Sequence, residues 1–242
     1  MTLVAVREQF VKYSGRYDLV VNTSAWANNG ADAFIQAGQH WLDETFEIAK
    51  KEATWYKTLA AGDWYALVPS CRAIHEVWMS TNTDGKWQLE KNLWNELRLD
   101  NETDPASIDR GSPLVYVAAS ARTVPETDAV TVIAKYGTTT YSAAVNNFAY
   151  QGLIWLPPTD VVATLEVLGN FYQDFLSVDT DKNYWTEQRP FVLTLAACRS
   201  IEMSYRNLQG VNDWEDAIIR QLLGLEFDLV DAESNDVHEM RG

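Results

Sequence analysis

The strongest constraint in this sequence is a change of hydrophobic period along the chain. Both ends repeat apolar residues at helical spacing, and the middle alternates them or runs them together in short Val- and Thr-rich stretches. From Thr2 to Tyr13, the residues Val6, Phe10 and Tyr13 share one helical face, and Ser14-Gly15 supplies a stop. Asn29 then offers an N-cap with Asp32 three residues on, a variant of the capping box. Behind it Phe34, Ala37, Trp41, Ile48, Trp55 and Leu59 recur at helical spacing, with Asp43, Glu44, Glu47, Lys50 and Lys51 largely opposite. The pattern predicts one long helix from Gly30 to Ala60, interrupted only by Gly38 and closed by Gly62.

The middle reads as strands. Trp64–Val68, Ala73–Trp78, Leu114–Ala118, Ala129–Tyr136, Gly152–Leu156 and Val161–Leu168 are the candidates, punctuated by Gly, Pro and Asp. A brief helix is expected over Gln88–Arg98, where Leu89, Leu93 and Leu97 stand one turn apart. Helices return with the stripe Leu193, Ala197, Ile201, Tyr205 and Leu208, which begins near Pro190 and breaks at Gly210. Asn212 with Glu215 opens a last helix along Trp214, Ile218, Leu222, Leu225 and Leu229, with Gly224 inside it. The resulting expectation is an α+β chain. A helical bundle built from both ends (1–61 plus 176–242) carries an inserted antiparallel β domain (62–175).

Charge narrows the partners. Nineteen Lys and Arg against 34 Asp and Glu give a net charge of −15. That disfavours a protein that holds nucleic acid by neutralising phosphates, and equally one that sits on an anionic membrane. The start, Met1 to Glu8, does not read as a signal peptide, and no apolar run approaches the ~20 residues needed to span a bilayer. Cys71 and Cys198 have no Cys-x-x-Cys spacing and are expected as reduced, buried residues.

Catalytic and metal signatures are sparse. No phosphate-binding loop, dinucleotide fingerprint, His-Glu-x-x-His or nucleophile elbow occurs, and His40, His75 and His238 fall on separate elements. Asp179-Thr180-Asp181-Lys182-Asn183 begins like an EF-hand loop. Tyr184 then stands where the turn needs Gly, and Pro190 where the bidentate Glu belongs, so a polar turn is the stronger reading. Asp43 with Glu47 is a carboxylate pair that a solvated helix face explains. Trp64, Trp78, Trp87 and Trp155 would suit a sugar-binding platform, although core packing accounts for them better. No catalytic, cofactor or metal residue is assigned, and the expected role is non-enzymatic.

An ordered set of clusters spans nearly the whole chain. It comprises Gly15-Arg16-Tyr17-Asp18-Leu19, Gly38-Gln39, Trp41-Leu42-Asp43, Gly111-Ser112-Pro113, Leu156-Pro157-Pro158 and Leu165-Glu166-Val167-Leu168-Gly169. Trp185, Pro190, Tyr205-Arg206-Asn207 and Gly210 complete it. The set resembles the head-to-tail adaptor (connector, or head-completion) proteins of tailed bacteriophages. The resemblance implies a structural virion protein at the head–tail junction, assembled in the host cytoplasm. It would form a homo-oligomeric ring, usually twelve-fold, that joins the portal protein to a tail nozzle and in some cases to tail fibres. Such a ring passes DNA without reading its sequence, and an acidic wall would keep phosphates from sticking. The segment from Phe227 to Gly242 is the candidate portal-docking arm, with Phe227, Leu229, Val230, Val237 and Met240 set in an acidic background. A nozzle or stopper ring is the alternative, and a carbohydrate-binding module or cell-wall glycosidase is weaker.

Overall fold

The computed structural model describes residues 1–46, 52–93, 95–97, 108–120, 122–123, 139–140 and 150–223. The α+β class holds. The main feature is a seven-stranded sheet, where the sequence suggested a helical bundle carrying an antiparallel insert. The chain divides into two compact units, Met1–Lys51 with Tyr172–Gly242, and Glu52–Phe171. Residues 52–61, expected among the helices, therefore lie in the second unit.

In the first unit α1 (Leu3–Ser14) ends at Gly15, whose φ of 69° is the left-handed stop that glycine adopts without strain. A 3-10 turn follows at Tyr17–Leu19, and α2 runs over Ala31–Thr45. Gly30 is its cap residue, and the side chain that serves its first turn is Asn28, not Asn29. Asn28 Oδ1 accepts from the N–H groups of Gly30 and Asp32. After the sheet come α3 (Tyr184–Gln188), α4 (Pro190–Ser204) and α5 (Leu208–Leu222). Proline opens α4 as expected, but the break comes earlier than Gly210. Asn207, not Asn212, caps α5 by accepting from Gly210 N–H, so Gly210 lies in its first turn.

Helix α4 is the hub of this unit. Val192 through Cys198 are buried without interruption, which marks a helix surrounded by others, and α1, α2, α3 and α5 all touch it. The closest approach is at Gly38 of α2, where a Cβ would lie 2.7 Å from the backbone of Ala196 and Ala197. That proximity sets the buried face of α2. It runs through Ile35, Gly38, Gln39, Leu42 and Asp43, about one residue round from the expected Phe34–Trp41 stripe.

The predicted helix over 30–60 is two different structures. Its second part is strand β1 (Glu52–Leu59); residues 47–51 lie outside the described residues. Trp55 and Leu59 satisfy a helical spacing of four, but they satisfy a strand spacing of two just as well, with Lys57 between them on the same face. Strands β2 (Tyr65–Pro69), β3 (Cys71–Thr81) and β4 (Gly85–Lys91) follow. The helix expected at Gln88–Arg98 is overturned over its first four residues, because Leu89 points into the sheet core from β4. Then come β5 (Val115–Ser120), β6 (Arg122–Thr123), β7 (Thr139–Thr140), β8 (Tyr150–Leu156) and β9 (Ala163–Phe171). The strand expected at Ala129–Tyr136 lies outside the described residues.

The sheet order is β1-β9-β3-β4-β5-β8-β2, and β6 pairs separately with β7. The expected all-antiparallel arrangement is corrected in two places, since β4–β5 and β6–β7 are parallel. A chain that goes from β4 to β5 through residues 92–114 has length enough to return to the same end of the sheet. The core comprises Leu59, Val77, Met79, Leu89, Leu153, Trp155, Leu165 and Val167 among others. Strand β8 is buried on both faces, because Trp64, Val117, Ile154 and Leu156 form a second, smaller cluster behind it.

Candidate interaction surfaces

The five candidate docking residues, Phe227, Leu229, Val230, Val237 and Met240, lie outside the described residues. What the described helical unit offers is two exposed apolar surfaces on a framework fixed by buried polar groups.

Arg7 is the centre of that framework. Its side chain is 1% exposed, and its guanidinium donates to Asp32 Oδ1 at 2.7 Å, Asp32 Oδ2 at 2.8 Å, Asp179 Oδ1 at 2.7 Å and the Trp26 carbonyl at 2.7 Å. Burial works against its charge, but the hydrogen bonds and charges of Asp32 and Asp179 outweigh it and raise the Arg7 pKa. One residue thereby ties α1 to the N-terminal turn of α2, to the turn before α3 and to a loop in which Trp26 holds a φ of 52°. A second anchor is Asp43, which is 1% exposed and accepts from Trp185 Nε1 at 2.7 Å and from Gln173 N–H at 3.2 Å. The expectation that Asp43 belongs to a solvated acidic face is therefore corrected. A carboxylate at its position on α2 is buried because the indole of α3 reaches it.

The EF-hand-like run resolves into three separate tasks. Asp179 faces Arg7, Asp181 accepts from the N–H groups of Ser177 and Val178, and Asn183 caps α3 in a capping box with Thr186. These backbone donors, Val178 first and then Ser177, hold the Asp181 carboxyl below its ordinary pKa. Among the described residues no group of three or more His, Cys, Asp or Glu side chains is placed to hold a metal ion. Cys71 and Cys198 are both free and buried. Burial raises the Cys71 pKa to about 11, and burial with the charge of Glu202 raises that of Cys198 to about 12. His40 is exposed, pairs with Glu44 at 3.1 Å and stacks on Tyr172, and His75 is exposed on β3.

The first apolar surface lies at the end of α1. Tyr13 is 56% exposed and meets Phe191 edge-on with ring centroids 5.8 Å apart. Tyr17 and Tyr205 are exposed as well, and the Arg16 guanidinium sits 5.3 Å from the Tyr205 ring. Arg16 also donates twice to Asp18 at 2.7 Å, and that bond lowers the Asp18 pKa. The second surface runs along α5. Leu208, Ile219 and Leu223 are exposed in one sector of the helix, but Asn212 and Glu215 lie between Leu208 and Ile219, so the apolar patch is Ile219 with Leu223. They lie beside the buried Ile218 and Leu222, which pack into the helical core. Arg199 of α4 fixes α5 through an ion pair to Glu215 at 2.7 Å, and its guanidinium lies 4.1 Å from the centre of the Trp41 ring.

The four tryptophans considered for a sugar platform do not come together. Trp155 is fully buried, Trp64 lies in the smaller cluster, and Trp87 faces the core side and donates to the Pro113 carbonyl at 2.8 Å. Trp78 lies on the outer face of the sheet, away from Trp64 and its cluster behind β8. No helix among the described residues is long and apolar enough to cross a membrane. Compared with known proteins, the sequence matches no family model and no curated protein.

Proposed function

We propose that this chain is a structural, non-enzymatic virion protein of a tailed bacteriophage. In this role it is an adaptor that forms a homo-oligomeric ring joining the portal protein at the head vertex to the tail nozzle. The observation that carries the reading is the pair of exposed apolar surfaces on one compact helical unit, at Tyr13–Phe191 and at Ile219–Leu223. A closed ring needs a heterologous contact, in which each copy presents two different surfaces to its neighbours. Exposed tyrosine, phenylalanine and leucine on elements already locked by Arg7, Asp43 and Arg199 provide contact area with little further ordering to do. The resemblance to head-to-tail adaptors supplies the partners, the dodecameric stoichiometry and the site of action at the head–tail junction. The segment from Phe227 to Met240 is the portal-docking arm in this reading, and the net charge of −15 suits a passage that DNA traverses without adhering.

The test is sedimentation of the chain alone, of the portal ring from the same genome, and of their mixture. A stoichiometric ring-on-ring complex is expected, and a chain ending at Leu223 should fail to form it. If the folded full-length chain and the folded portal ring sediment independently, the reading is wrong.

A further inference from the structure

The loop between the 3-10 turn and α2 holds a reactive dipeptide that the adaptor role does not use. Asn29-Gly30 is the only Asn-Gly step in the chain, and both residues are exposed. In such a step the side-chain amide carbon lies one ring closure away from the next backbone nitrogen. Glycine has no Cβ to shield that nitrogen, whereas every other asparagine here precedes a residue that has one. The structure ties down both reacting groups. Asn29 Nδ2 donates to the Asp18 carbonyl at 2.8 Å, and Asn29 N–H donates to the Leu19 carbonyl at 2.9 Å. Gly30 N–H donates to Asn28 Oδ1 at 3.0 Å, with Gly30 at a φ of 111°. Asn28 Oδ1 also accepts from Asp32 N–H at 3.1 Å, so one exposed side chain holds both the nucleophile and the first turn of α2. The bonds at Asn29 Nδ2 and Gly30 N–H are themselves exposed, so water competes for them.

We propose that Asn29 is a site of spontaneous deamidation, and that Asn28 sets its rate by occupying Gly30 N–H. When the loop opens and these bonds exchange for water, Gly30 N gives up its proton and attacks Asn29 Cγ. The N–Cγ bond forms, the Cγ–Nδ2 bond breaks, and Nδ2 leaves with a proton as ammonia, which closes a five-membered succinimide. Water then opens the ring at either carbonyl. Attack at Cγ gives aspartate, and attack at the main-chain carbonyl gives isoaspartate, whose backbone runs through Cγ. No group is oxidised or reduced, and water is the sole co-reactant. Either product alters the loop. A carboxylate cannot donate to the Asp18 carbonyl, so the tie to the 3-10 turn is lost. Isoaspartate also adds a backbone atom ahead of α2. That shift carries the Gly30 and Asp32 N–H groups off Asn28 and disturbs the Asp32 carboxylate that faces Arg7.

Peptide mapping by mass spectrometry tests the proposal on the folded full-length protein, incubated warm at mildly alkaline pH, with the same chain unfolded in urea as reference. A gain of one mass unit, localised to Asn29 by fragmentation, is expected in the folded protein, with aspartate and isoaspartate resolved as two products. Its rate should be about tenfold below that in urea, because the native bonds must open first. Asn28→Ala frees Gly30 N–H and should react several-fold faster than the parent, and Asn28→Asp, which keeps the acceptor, should react at close to the parental rate. Circular dichroism checks that each variant is folded, and the parent's own rate decides whether the site reacts whatever the variants do. Asn29 unmodified in the folded parent while the urea sample reacts overturns the proposal. A folded Asn28→Ala that reacts no faster than the parent overturns the role of Asn28.

Discussion

The helical unit and the sheet unit are held together by different chemistry. Among the described residues, seven of the eight buried polar or charged side chains belong to the helical unit: Arg7, Asp32, Gln39, Asp43, Asn183, Thr186 and Thr194. The sheet unit buries only Thr159, whose hydroxyl donates to the Ala60 carbonyl at 2.9 Å. The difference follows from what each kind of element leaves undecided. A strand's neighbours and register are specified by its backbone ladder, and alternation then decides which side chains go inside. Helices satisfy their own backbones, so apolar faces alone let them slide or rotate. Directional anchors such as Arg7–Asp32 and Trp185–Asp43 select one arrangement. Exposed apolar residues are dependable contact sites only on a framework fixed in this way.

The largest expected effect breaks the helical side of that comparison. Arg7→Ala leaves Asp32 buried without its cation and should cost about 3–5 kcal/mol in urea unfolding, and adding Asp32→Ala should recover part of the loss. In the sheet unit, Leu165→Ala removes a fully buried side chain and should cost about 2–5 kcal/mol, with no second-site polar change able to restore it. Gly38→Ala tests the close approach of α2 to α4. Its Cβ would press on the Ala196–Ala197 backbone, which cannot retreat as a flexible side chain would, and the cost should be about 1–3 kcal/mol. The smallest effect is electrostatic. Because the Asp181 carboxyl is depressed, its stabilising contribution is complete above the ordinary carboxylate pKa and is lost as pH falls through the depressed value. Asp181→Asn lacks that dependence, so its stability should fall less steeply with acid than that of the parent.

How much of this could be read from sequence depends on whether a residue's period was ambiguous. Helix α1 with its glycine stop, and α4 with its proline start, were legible because their apolar spacing fits only a helix. Trp55 and Leu59 fit both periods, and the alternation Trp55, Lys57, Leu59 that marks β1 was masked by the helical pattern before it. Leu89 was misplaced for the same reason. The burial of Asp43 was invisible, because its indole partner lies 142 residues away. Arg7 carries no sequence motif that marks its role. The signal available was its place on the helix between the buried Phe10 and Val11.

In the proposed ring the helical unit makes the contacts between copies and the sheet unit does not. The most direct measurement is the sedimented mass of portal mixtures containing either Tyr13→Ser/Phe191→Ser, Ile219→Ser/Leu223→Ser or Tyr56→Ala, the last at an exposed ring on β1 of the sheet unit. Both helical double variants should fail to close a ring, and Tyr56→Ala should give the parental complex. Rings of full mass from both double variants, or loss of the ring in folded Tyr56→Ala, would contradict the account.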